Sequence, residues 1–290
     1  MDPVVTVGLD GSPESVAAAR WAADEAQRRR LTLRLLHAWP MLAPDPAHAS
    51  SALDQNYWAK KLVHTTRAEI QATHPGLTVI GELVAEDAQD ALLRVAAESE
   101  LTVLGSRGLE SVPSYFLGDI STAVVGRAVR PVVLVRAGAD EAGQSPPPRT
   151  AAVVAALKLA GPCDDLLAFA FEAAAARGLP LRAVHGETLP LHAHMPWGAD
   201  HEVTREIEHE ARTRLNAALQ RWRVQYPDLD VVDSVSLESP ARAVAKAAET
   251  AAMLVVGRRK DRPPLAPCLG SVAQAAIHHA RCPVAVVPHD

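Results

Sequence analysis

AVVGRAVRPVVLVRA, residues 123–137, and AQAAIHHARCPVAVVPHD, residues 273–290, decide how this chain is read. Each runs from a small-residue helical period, through a proline, into a short apolar strand. Pro131 and Pro283 stand 152 residues apart, and the same separation joins Gly105 to Gly257 and Gly118 to Gly270. Nearer the start of each copy the separation is 148, where LRLLHAW around His37 answers LRAVHGE around His185. A fixed period of this kind marks a duplicated unit. It predicts two domains, residues 1–137 and 151–290. The linker between them, 138–150, lies in AGADEAGQSPPPRT and is stiffened by Pro146–Pro148.

Bulk properties agree. The 290 residues exceed one typical domain and suit two. Hydrophobic content of 48% and charged content of 22% belong to a globular chain. A net charge of −5 argues against nucleic acid as a partner. No apolar run approaches the roughly 20 residues that span a bilayer. The start, MDPVVTVGLDG, lacks the basic-then-apolar order of a signal peptide. Cys163, Cys268 and Cys282 form no C-x-x-C pair, and an odd count suits free thiols in a reducing cytoplasm.

Within the first copy, VVTVGL reads as a strand. Ser12 then caps a helix reaching about Arg29, with Pro13 at its first position. LTLRLLHA, LTVIGELV, LTVLG and PVVLVR are further strands. Helices are expected near 53–73, 87–98 and 120–129. Near-continuous apolar strands alternating with helices mean a parallel sheet covered on both faces. Right-handed crossovers make each domain doubly wound. Ligands of such sheets bind beyond the carboxyl ends of the strands, where strand order reverses. Asp10, Ala38 and Gly105 all follow or end strands at that edge.

After the fourth strand comes GSRGLESVPSYFLGDIST, residues 105–122. Together with VGLDGSPES at Val7–Ser15, LLHAWP, VLGSRG and the RPVVLV ending, it resembles the universal stress protein family. Nucleotide-binding members of that family carry G-x2-G-x9-G followed by Ser or Thr. Gly105, Gly108 and Gly118 reproduce that spacing here. The resemblance covers nearly the whole chain as tandem domains. It implies two α/β domains, each a five-stranded parallel sheet of order 3-2-1-4-5 with helices on both faces. It also implies cytoplasmic location and a role in stress or dormancy responses, with domains pairing through their last strands, homodimer formation and a protein partner of unknown identity.

Carried onto this sequence, the resemblance implies an adenine-nucleotide site in the first domain. Gly8, Leu9 and Asp10 would contribute from the first strand's end, and Ala38 from the second's through its backbone. Leu104, Gly105, Arg107 and Gly108 follow the fourth strand. Gly118, Asp119, Ile120 and Ser121 open the last helix. Asp10 would accept hydrogen bonds from the ribose hydroxyls, although an Asp in a GLDGS turn also serves the turn itself. The glycines would let backbone approach ribose and phosphates. Free N–H groups at the helix start would hold a phosphate. Asp119, where the family has Ser or Thr, opposes that. Two like charges about 4 Å apart repel by roughly 4 kcal/mol at an effective dielectric of 20. A bridging Mg²⁺ would reverse the sign. ATP is therefore the expected cofactor, with or without Mg²⁺, and AMP or adenosine are less affected by the exchange.

The second copy departs differently. Lys158 stands where Asp10 stands, and Lys260 replaces the second glycine. Gly270–Ser271 keeps the helix-start pair, among Arg258, Arg259, Lys260 and Arg262. The loop reads as a basic surface, with a bare anion site as the alternative, and Pro263, Pro264 and Pro267 stiffen it.

Other chemistries find no support in the motifs. His192–His194 and His278–His279 lack further ligands at zinc spacing. There is no G-x-G-x-x-G, GxxxxGK[ST] or G-x-S-x-G. No nucleophile is paired with a base. The expectation is a binding protein rather than an enzyme, with slow ATP hydrolysis as the weakest reading. A fold that binds no nucleotide and acts as a dimerising interaction module is the alternative.

Overall fold

The computed structural model describes residues 3–39, 49–106, 119–137, 151–159, 161–188, 201–261 and 267–290. The chain divides into two compact units, Met1–Gln144 and Ser145–Asp290. Arg107, Gly108 and Gly118 lie outside the described residues, as does the His192–His194 cluster.

The first unit runs β1 (Val4–Gly8), α1 (Pro13–Arg29), β2 (Thr32–Ala38), α2 (Ala49–Thr73), β3 (Val79–Val84), α3 (Ala88–Glu98), β4 (Leu101–Ser106), α4 (Asp119–Arg127) and β5 (Val132–Arg136). Its strands are ordered β3-β2-β1-β4-β5 and pair in parallel. This is the order 3-2-1-4-5 expected from the resemblance. The second unit runs β6 (Ala152–Ala156), α5 (Asp164–Arg177), β7 (Leu181–Gly186), α6 (His201–Gln225), β8 (Val231–Ser236), α7 (Pro240–Ala248), β9 (Ala251–Arg259), α8 (Ser271–His279) and β10 (Val284–His289). Its order, β8-β7-β6-β9-β10, is the same topology.

Local chemistry fixes these elements. Ser12 has extended backbone, and its Oγ accepts from the Ser15 N–H at 3.2 Å, so it caps α1. Asp87 caps α3 through the N–H groups of Gln89 and Asp90. Arg30 closes α1 in the left-handed region at φ 58°, and its N–H bonds back to Gln27. Gly178 closes α5 the same way at φ 61°, 148 residues later. The helix at the end of the first glycine loop starts at Asp119, one residue before the expected start, and ends at Arg127, short of Val129.

The core forms where the sheets meet their helices. In the first unit α1 and α2 pack together, as do α3 and α4, and each pair contacts the sheet. Val5, Val7, Leu33, Leu35, Val103 and Val133 are wholly buried. Each such side chain contributes about 1.5–3 kcal/mol by leaving water. Among the described residues no helix is long and apolar enough to cross a membrane.

Candidate functional site

The carboxyl ends of β1 and β2 are tied together in the same way in both units. In the first, the Leu9 N–H donates to the Leu36 carbonyl at 2.8 Å. His37 Nδ1 donates to the Leu9 carbonyl at 2.7 Å. In the second, the Leu157 N–H donates to the Val184 carbonyl at 2.9 Å, and His185 Nδ1 to the Leu157 carbonyl at 2.9 Å. A histidine from the second strand thus holds the first strand's exit. The sequence held the signal, since both histidines sit in the repeated LRxxH pattern, but their role as braces was not read from it.

The residue leaving that brace carries the site's charge. Asp10 is exposed at the carboxyl end of β1. Its Oδ1 accepts from the Ser12 N–H at 2.9 Å and the Ser12 hydroxyl at 2.5 Å. Asp10 therefore serves its own turn, at the edge where a ribose reader belongs.

Gly8 and Gly105 have packing reasons to be glycine. A Cβ on Gly8 would lie 2.9 Å from Leu104 Cδ2. A Cβ on Gly105 would lie 2.6 Å from the Glu14 carbonyl carbon and 2.7 Å from the Ser15 nitrogen. The first turn of α1 therefore rests directly on the end of β4. Leu9 and Leu104 are buried. Ala38 is half-buried at the end of β2, opposite Val84. Trp39, one residue on, stacks on His37 with ring centroids 5.9 Å apart and is half-buried, an aromatic neighbour that the site reading omitted. Ile120 is 44% exposed and Ser121 half-buried in the first turn of α4.

The corresponding edge of the second unit encloses a cavity of about 970 Å³. Leu157, Val184, Val244 and Leu269 give it apolar walls, and Lys158, Arg258 and Arg259 give it positive charge. Glu187 also lines it, and is engaged by His185 Nε2 at 3.0 Å and by Arg214 at 3.5 Å. Lys260, expected near the helix start, instead reaches Asp165 at 3.0 Å and Asp290 at 3.5 Å. Its hydrogen bond to Asp165 is the main influence holding its ammonium above the ordinary range. Cys163 lines the cavity too, and burial, aided by Asp164, pushes its thiol up. Among the described residues no group of three or more His, Cys, Asp or Glu could hold a metal ion.

The helices that start these edges differ. Pro13, the first residue of α1, corresponds to Gly161, yet α5 starts only at Asp164. Gly257, the counterpart of Gly105, consequently faces the His289 ring and Leu166 rather than helix backbone.

Comparison with known proteins gives concordant results. The Universal stress protein family matches residues 3–136 and again 151–288. A universal stress protein of Mycobacterium tuberculosis (strain H37Rv) is 31% identical over 292 residues, covering 97% of this chain and 96% of its own. A second from the same strain is 29% identical over 296 residues, covering 97% and 95%. Among solved structures, a universal stress protein from Archaeoglobus fulgidus DSM 4304 superposes with a TM-score of 0.70 at 16% identity, covering 99% of this chain and 98% of that one.

Proposed function

The chain belongs to the universal stress protein family, and from that premise we propose that its first domain binds an adenine nucleotide, with ATP as the full ligand and AMP or adenosine as lesser ones. The observation that carries this is the Asp10 carboxylate, exposed at the carboxyl end of β1 beside the reversal of strand order. It stands with the G-x2-G-x9-G spacing of Gly105, Gly108 and Gly118. Asp10 reads the ribose, the backbone near Ala38 reads the base, and the loop and the start of α4 hold the phosphates. Asp119 would hold a Mg²⁺, whose charge would offset that of a triphosphate. Binding regulates a stress response in the cytoplasm through a dimerising protein, without a catalytic step.

The test is direct. Freshly purified protein is denatured and the released small molecules are separated by chromatography. An adenine nucleotide near one per chain supports the proposal. An empty protein that gives no calorimetric response to ATP with Mg²⁺ overturns it.

A second reading, an interaction module that binds no nucleotide, is favoured by one observation. The Oδ1 of Asp10 is already engaged by Ser12. The same calorimetry separates the two readings.

A further inference from the structure

We propose that the cavity of the second domain binds a small phosphate-bearing ligand that is not a nucleoside, held by Lys158, Arg259 and the start of α8. The inference stands apart from the reading of the first domain, because it rests on different residues.

Charge comes first. Lys158 occupies the place of Asp10, at the exit of a first strand braced by a histidine. An ammonium donates and cannot accept, so it does not read a ribose diol as a carboxylate does. It favours an anion. The side chains of Lys158 and Arg259 are exposed and make no hydrogen bond or ion pair with any described residue. Arg258, only 6% exposed, adds a third positive charge to the lining. Of the lining carboxylates, Glu187 is held by His185 and Arg214, and Asp290 by Lys260. Asp261 remains, and the excess is positive.

Shape comes second. The late start of α5 replaces a helical turn with Gly161, Pro162 and Cys163, all of which line the cavity. About 970 Å³ lies within the range of small-molecule pockets. It exceeds what a phosphate alone requires and leaves room for an organic body against Leu157, Val184 and Leu269. α8 starts at Ser271 with Gly270 as its cap, a residue with no side chain to occupy the first N–H groups. Gly270, Ser271 and Val272 line the same cavity as Lys158 and Arg259, a combination that suits a phosphate. The first domain differs here, because Asp119 occupies the equivalent helix start.

The test uses a reporter local to this domain. All three cysteines lie in the second half of the chain, and Cys268 is exposed and lines the cavity. Alkylation of Cys268 in the full chain is followed by mass spectrometry with inorganic pyrophosphate, ribose 5-phosphate, adenosine, or sodium chloride at matched ionic strength. Either phosphate compound should slow labelling several-fold, and the stronger of the two tells whether free phosphate or an ester is preferred. In a Lys158→Ala/Arg259→Ala variant the concentration needed should rise about tenfold or more, the scale of a lost charge-assisted hydrogen bond. Asp10→Ala should leave the protection unchanged. Protection by adenosine or chloride equal to that by pyrophosphate overturns the proposal. So does the absence of protection by either phosphate compound, or equal protection in the double variant.

Discussion

Asp10 and Asp119 divide the proposed nucleotide site between sugar and phosphate, so their variants should affect different ligands. Asp10→Ala removes the acceptor for the ribose hydroxyls. A hydrogen bond to a charged group is worth about 1.5–3 kcal/mol, so calorimetry should show adenosine affinity falling tenfold or more. Asp119→Ser removes a like charge from the phosphate end. Measured without Mg²⁺, it should raise ATP affinity and leave adenosine affinity nearly unchanged. Equal effects on the two ligands would refute this division. Gly105 is a different case, because the first turn of α1 fills the space its Cβ would need. Gly105→Ala should lower stability by about 1–3 kcal/mol in urea titration with no ligand present. A variant of unchanged stability would remove the packing account. The cysteines differ as well. Burial holds the Cys163 thiol above its ordinary range, and the thiolate is the reactive form. Alkylation of Cys163 at neutral pH should therefore be slower than that of exposed Cys268, and should quicken as pH rises.

At the scale of elements, α1 and α5 share a closing geometry but not a closing residue. Arg30 holds φ 58° where Gly178 holds φ 61°. The left-handed region costs a residue with a Cβ about 1 kcal/mol. Arg30→Gly should therefore stabilise the first unit by roughly 0.5–1 kcal/mol, measured by urea denaturation, and Gly178→Ala should destabilise the second by a similar amount. Much of this level was legible in the sequence. Apolar runs marked the strands, and Ser12–Pro13 marked the start of α1. The doubling gave the topology of the second copy from the first. The rest depended on contacts distant in sequence. Nothing near Gly105 says that Glu14 lies against it, so a glycine suited to ligand approach also proves to be one required by packing. The cavity of the second unit was likewise out of reach. It depends on where α5 begins, and Cys163 caps that helix without a side-chain hydrogen bond to signal it.

At the scale of the molecule, one fold occurs twice with opposite charge at the corresponding position. Ligand binding should therefore act on one unit at a time. A ligand at about 100 times its Kd stabilises the state it binds by about 2.7 kcal/mol. ATP should slow amide hydrogen exchange at the edges of β1 and β4 and leave those of β6 and β9 unchanged. Slowing of equal size in both units would contradict a site confined to the first. The histidine braces give the chain a further property. His37 and His185 hold the exit of the first strand with the same bond, while the residue that follows has changed from acid to base. The scaffold and the charge it displays are thus separable parts. A double exchange, Asp10→Lys with Lys158→Asp, should leave both strands in place and swap only the charge shown at each exit, while the differing starts of α4 and α8 stay as they are, as two doors trade handles and keep their hinges.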